Sequence, residues 1–136
     1  MKEIIIEDST PQTIYLNEGE ERIIKYFAKD EGEVRHVTIS SRADNPFARF
    51  EMHSQKGNEM PGTDREEHVW PAWDNGYVAM YAPWCDCFCV DCNYTTVIAA
   101  QTAGKYTILA KTSEATIEIG KDPVYDTALR LSLIHI

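Results

Sequence analysis

Four cysteines fall within eight residues, in the run Trp84-Cys85-Asp86-Cys87-Phe88-Cys89-Val90-Asp91-Cys92, and the chain has no others. Thiols this close could form local disulfides, hold a soft metal as thiolates, or react as free nucleophiles. In extended backbone, residues i and i+2 lie about 6.6–7 Å apart, at the upper limit for a bridge. Cys85–Cys87 and Cys87–Cys89 bridges are therefore disfavoured unless the loop folds tightly. Cys89-Val90-Asp91-Cys92 has a spacing that a turn closes as a disulfide, or that offers half of a zinc or copper site. Four cysteines allow three pairings, and spacing does not choose among them. Structural zinc ordinarily draws on two separated knuckles, and one is present here. A disulfide-braced loop in an oxidising compartment is the plainer reading. Phe88 and Val90 alternate with the cysteines, so one side of the segment is expected to pack while the other presents sulfur. Thiol catalysis needs a base; His36, His53, His68 and His135 reach the cluster only through the fold.

A second group is aromatic. Trp70 and Trp73 lie in the run His68-Val69-Trp70-Pro71-Ala72-Trp73, with Tyr77 and Trp84 close by. Exposed, these rings could stack on sugars or grip an extended peptide. The competing role, for Trp70 above all, is core packing, because large aromatics are highly buried on average. A third group is acidic: Glu3, Glu7, Asp8, Asp30 and Asp44 could supply oxygen ligands to calcium. They follow no EF-hand spacing, and a solvated acidic surface accounts for them more simply. No nucleophile elbow, phosphate loop or zinc-protease motif occurs, so no enzyme activity is expected.

Positioning these groups falls to strands. The apolar period is two, as in Ala48, Phe50, Met52 against Arg49, Glu51, His53, and in Tyr106, Ile108, Ala110 against Thr107, Leu109, Lys111. Strands are predicted near 3–7, 12–16, 21–28, 34–40, 47–53, 76–82, 94–101, 105–112 and 115–119. Turn formers such as Asn17-Glu18-Gly19, Asp44-Asn45-Pro46 and Asp74-Asn75-Gly76 separate them. Many short strands without a long amphipathic helix predict an all-β protein, an antiparallel β-sandwich of jelly-roll type. Residues 54–75 read as a long irregular loop.

At 136 residues the chain suits one domain with a real core. Its formal charge of -9 argues against nucleic acid as a partner. No stretch is apolar for the ~20 residues a membrane span needs. The apolar run at Ile4-Ile5-Ile6 is too short for a signal-peptide core of roughly 7–15 residues, which leaves a cytoplasmic protein as an alternative to a secreted one. The module is expected over 1–114. Ile117 to Leu129 echoes Ile4 to Leu16, with Pro123 lying 112 positions after Pro11, so 115–130 reads as the start of a following repeat. Leu131-Ser132-Leu133-Ile134-His135-Ile136 resembles a translated sequencing adaptor and is read as an artefactual tail in preference to a genuine final strand, which the alternation of Leu129, Leu131 and Leu133 would also fit.

From Ile14 to Thr112 the order of features resembles the bacterial pre-peptidase C-terminal domain family, relatives of the collagen-binding domains of secreted collagenases. The residues that carry it are Leu16-Asn17-Glu18-Gly19 before the strand Ile24-Lys25-Tyr26-Phe27, then Val37-Thr38-Ile39-Ser40. The corner Ala43-Asp44-Asn45-Pro46-Phe47 comes next, with Asn45 where the family prefers proline. The closing strands Tyr94-Thr95-Thr96-Val97-Ile98-Ala99 and Ala103-Gly104-Lys105-Tyr106-Thr107-Ile108 complete the match. The resemblance implies a non-catalytic binding or spacer module of a larger secreted or cell-surface protein. Its partners would be a protein or carbohydrate ligand, or neighbouring domains of the same chain. Some relatives bind calcium near the N-terminal linker. The alternative is a small intracellular Cys-cluster protein that binds metal or works in redox chemistry.

Overall fold

The computed structural model describes residues 2–29, 35–61, 69–72 and 75–114. The described strands are β1 (Lys2–Ile6), β2 (Gln12–Leu16), β3 (Glu21–Ala28), β4 (Arg35–Ala43), β5 (Phe50–Lys56), β6 (Val69–Ala72), β7 (Gly76–Tyr81), β8 (Cys92–Ala100) and β9 (Gly104–Glu114). They form two sheets, ordered β1-β3-β8-β5 and β2-β9-β4-β7-β6. Every pairing is antiparallel except β1 with β3. The predicted all-β sandwich is what forms.

β4 and β9 run past their predicted ends, to Ala43 and Glu114, and three further differences have a local cause. β5 starts at Phe50 rather than 47, because Asn45 turns the chain first: its carbonyl accepts from Ala48 N–H and its side chain from Phe47 N–H. β8 starts two residues early, at Cys92, where it meets Ala28. β6 lies inside the stretch read as irregular. Its Pro71 cannot donate to a ladder, so β6 takes the sheet edge, where proline is tolerated. The strand predicted at 115–119 lies outside the described residues, as does the whole segment 115–136.

Alternation builds the core. Ile24, Tyr26 and Ala28 of β3, Tyr94 and Ile98 of β8, and Phe50 and Met52 of β5 face Val37 and Ile39 of β4 and Tyr106, Ile108 and Ala110 of β9. Each large side chain removed from water contributes about 1.5–3 kcal/mol before entropy is counted. In β7 the inward set is Tyr77, Ala79 and Tyr81, which leaves Val78 and Met80 on the outer face. Gly76 has no room for a side chain, since a Cβ there would meet the Ser41 carbonyl oxygen at 2.2 Å.

The buried tyrosines spend their hydroxyls on the ends of the sandwich. Tyr26 donates to Asp8 Oδ1 at 2.6 Å, and Tyr106 to the Thr102 carbonyl at 2.6 Å. Tyr81 donates to Ser54 Oγ at 2.7 Å, and Ser54 meets Thr96 at 3.0 Å. Asp8 Oδ1 also accepts from Thr112 N–H at 3.1 Å, so one carboxylate ties the β1–β2 turn to both sheets. Strand directions place Lys2, Gly19 and Gly104 at one end of the sandwich. The β1–β2 turn, the β7–β8 loop and Glu114 lie at the other.

Candidate functional site

The β7–β8 loop carries the four cysteines. Cys85 N–H donates to the Ala82 carbonyl at 2.9 Å and Phe88 N–H to the Cys85 carbonyl at 3.1 Å, so two turns come one after the other. They shorten the Cys85–Cys87 Cα separation to 5.1 Å, well inside bridging range, and the two sulfurs pair. Extended geometry disfavours that pairing; the consecutive turns supply the tight fold it needs. Cys89 pairs with Cys92 across a Cα separation of 6.1 Å. Asp91 takes a left-handed backbone, φ 51°, and its N–H donates to the Ala28 carbonyl at 2.7 Å.

The loop is fastened from three sides. Tyr94, fully buried, accepts from Cys89 N–H at 2.9 Å and donates to the Cys89 carbonyl at 3.0 Å. Burial pushes its phenol pKa up to about 12. Lys56 Nζ donates to the Asp86 carbonyl. Cys87, Phe88, Cys89 and Cys92 pack against the core while Val90 stays exposed. The expected division of the loop is thus corrected: sulfur turns inward with Phe88, and Val90 turns out, because the loop coils instead of running extended. Among the described residues no three His, Cys, Asp or Glu side chains converge as a metal site.

The fold separates the predicted aromatic group. Trp84 is 77% exposed, and its ring stands edge-on to His36, with centroids 5.2 Å apart. His36 is buried, and desolvation holds its imidazole pKa below the ordinary value. Trp70 is partly buried beside Val78 on the outer face of the five-stranded sheet, in register with Ser40 and Leu109. Tyr77 points the other way: it packs edge-on to Phe50 at 5.0 Å and donates to the Phe50 carbonyl at 3.0 Å. It therefore shares no surface with Trp70. Trp73 lies outside the described residues.

The acidic group is dispersed. Glu3, Glu7, Asp8 and Asp44 are exposed. Asp8 and Asp44 sit at opposite ends of the sandwich, and Asp30 lies outside the described residues. A polar cluster that residue spacing did not reveal covers the outer face of the four-stranded sheet. Lys25 Nζ donates to Thr95 Oγ1 at 2.7 Å and to the Asn58 carbonyl at 3.1 Å. Thr95 donates to the Gly57 carbonyl at 2.6 Å, and Asn93 Nδ2 to Asn58 Oδ1 at 2.9 Å. Lys25 and Asn58 are 33 positions apart, a spacing that carries no local signal.

No protein-family model matches the sequence, and no curated protein matches it. The backbone does match a solved structure, the pre-peptidase C-terminal domain of a collagenase from Bacillus anthracis. The TM-score is 0.58 at 12% identity, over 80% of this chain and 94% of that one. The fold is that of a pre-peptidase C-terminal domain. The closing strands of the resemblance read from Ile14 to Thr112, β8 and β9, follow each other in the chain but lie in different sheets. At 12% identity the pre-peptidase C-terminal likeness concerns architecture and carries no site residue over to this chain.

Proposed function

We propose that the chain is a non-catalytic accessory module of a larger secreted or cell-surface protein, one that binds a protein or carbohydrate ligand. The observation that carries this reading is Trp84, a large aromatic held 77% exposed on a loop fastened by Tyr94, Lys56 and two sulfur pairs. A rigid exposed ring loses little entropy on binding and suits stacking on a sugar face or a peptide. Two oxidised local bridges would fit an extracellular setting. Likeness to a collagenase's accessory domain supports the absence of an active site of its own.

Affinity electrophoresis and titration against immobilised polysaccharides and extended peptides test this reading. Trp84→Ala is expected to weaken the strongest ligand about tenfold or more, the scale of a buried aromatic anchor. Binding untouched by both Trp84→Ala and Trp70→Ala would refute the aromatic site. Intact mass after alkylation, with and without reductant, is expected to show two bridges. Four free thiols with one firmly held zinc or copper per chain would replace this reading with a metal-binding one.

A further inference from the structure

We propose that Asn75 is a self-modification site, guarded while the fold is closed, at which an opening is recorded as a permanent chemical change. Two demands of the fold create it. The chain enters β7 through a left-handed residue, Asn75 at φ 56°, a conformation that asparagine adopts more readily than most side chains. The next residue must be glycine, because a Cβ at 76 would stand 2.2 Å from the Ser41 carbonyl oxygen of β4. Together they place Asn75-Gly76 here, and no other asparagine of the chain is followed by glycine. Glycine has no side chain to shield its own nitrogen, so it is the neighbour that lets an asparagine amide react fastest.

The reaction needs no enzyme. The backbone nitrogen of Gly76 gives up its proton to base and attacks Cγ of Asn75. A bond forms between that nitrogen and Cγ, the Cγ–Nδ2 bond breaks, and Nδ2 takes up a proton and leaves as ammonia. Water then opens the succinimide ring. Cleavage at Cγ leaves aspartate. Cleavage at the Asn75 carbonyl carbon leaves isoaspartate, in which the main chain runs through the former side chain. The sum is one water consumed and one ammonia released, with no oxidation or reduction.

The closed fold holds both reacting groups. Asn75 Nδ2 donates to the Ala48 carbonyl at 2.7 Å and to the Asn45 carbonyl at 3.2 Å. Attack at Cγ would turn this planar amide tetrahedral, which the two acceptors oppose. Gly76 is buried in β7, in register with Arg42 on one side and Ala72 on the other. Reaction therefore runs through a locally opened state. Two net hydrogen bonds set a closed-to-open ratio of about thirtyfold.

The product does not fit the place it leaves. A carboxylate at 75 has no hydrogen to donate, so it sets acceptor against acceptor at the Ala48 and Asn45 carbonyls, and the clamp becomes a repulsion. Isoaspartate also adds a methylene to the main chain and displaces the carbonyl that accepts from Ala43 N–H at 3.1 Å. The segment released is the corner from Ala43 to Ala48, which presents Phe47, 87% exposed.

The test ages the 136-residue chain at pH 8.5 and 37 °C, folded and in guanidinium chloride. Peptide mass spectrometry reads loss of each amide, and a protein isoaspartyl methyltransferase reads isoaspartate. In denaturant Asn75 is expected to convert first of the five asparagines, ahead of Asn17, Asn45, Asn58 and Asn93. In the folded chain it should convert about thirtyfold more slowly or slower still. A rate in denaturant no faster than at the other four, or the same rate folded and unfolded, overturns the proposal. Amide exchange reads the consequence. In the aged chain, and in Asn75→Asp, exchange at Ala43 and Ala48 should accelerate about tenfold or more, while Thr112 at the far end keeps its rate. Unchanged exchange at Ala43 and Ala48 in the aged chain would mean that the corner tolerates the carboxylate, and overturns the clamp. Asn75→Gly keeps the left-handed turn without a carboxylate; if it folds and Asn75→Asp does not, the incompatibility of the product is confirmed.

Discussion

Tyr94→Phe isolates the bond between core and cysteine loop. The ring stays, so packing against Tyr81, at 4.7 Å between centroids, is kept. What goes is one hydroxyl that both accepts from and donates to Cys89. Two hydrogen bonds are worth about 1 kcal/mol each, and a wholly buried orphan costs about 1–3 kcal/mol. Cys89 is only partly buried, so water can replace part of what is lost. The expected destabilisation is about 2 kcal/mol at pH 7, or roughly 8 °C in Tm for a chain of this size. Alkali supplies a second reading. Folding raises the phenol pKa from 10.0 to about 12. The folded state then holds a proton that the unfolded state gives up, so this contribution is present below pH 10 and is lost as pH rises to 12. Two units correspond to about 2.7 kcal/mol as an order of magnitude. Urea unfolding of both proteins at pH 7 and from pH 9 to 12 measures this. The variant's deficit should shrink steadily in alkali. A deficit below about 0.5 kcal/mol at pH 7, or one that stays constant to pH 12, would refute the role assigned to the buried hydroxyl.

Gly76→Ala should destabilise by about 3 kcal/mol or more, because backbone of β4 blocks the new methyl; thermal melts show it, and a near-neutral result would mean that β4 and β7 can part there. Asp8→Ala removes the acceptor of Tyr26 and of Thr112 N–H and should cost about 1–3 kcal/mol, with faster amide exchange at Thr112. His36 holds its folded pKa below the ordinary 6.5, so between the two values the unfolded state binds the extra proton and stability falls as pH drops. The slope is at most about 1.4 kcal/mol per pH unit, and His36→Asn should flatten it in denaturation curves from pH 7 to 5. Cys89→Ser with Cys92→Ser should leave the fold intact while proteolysis at 84–91 accelerates, since so short a ring contributes less than the ~3 kcal/mol of a 15-residue loop.

Much of the architecture was legible because alternation reports directly on which face of a strand is wet. Ile14 and Leu16, or Tyr106, Ile108 and Ala110, are buried as their spacing predicts. In β7 both faces are apolar, so the pattern alone does not assign Tyr77 to the core and Val78 to the outer face; that depends on which neighbours flank the strand. β6 escaped because a proline inside four residues reads as a break, although the signal of Val69 and Trp70 beside an edge-tolerated Pro71 was present. The cysteine loop was visible as a cluster, but its inward sulfurs were not, since coiling depends on consecutive turns, on the Tyr94 hydroxyl, and on partners far along the chain, Lys56 for Asp86 and Ala28 for Asp91. The edge-on contact of Trp84 with His36 is likewise a product of topology, with 48 positions between the partners.

The tyrosine anchors have a consequence for what can be written onto this scaffold. Tyr94 grips Cys89, Tyr106 grips Thr102 and Tyr77 grips Phe50, in each case through main-chain atoms. An anchor that engages only the main chain is indifferent to the side chain displayed above it. The outward positions Trp84, Asp86 and Val90 can therefore be randomised without releasing the loop that presents them. Fixed attachment with freely variable display is what a library for selecting new binders requires, and a framework of this kind can acquire new specificities while its interior stays unchanged.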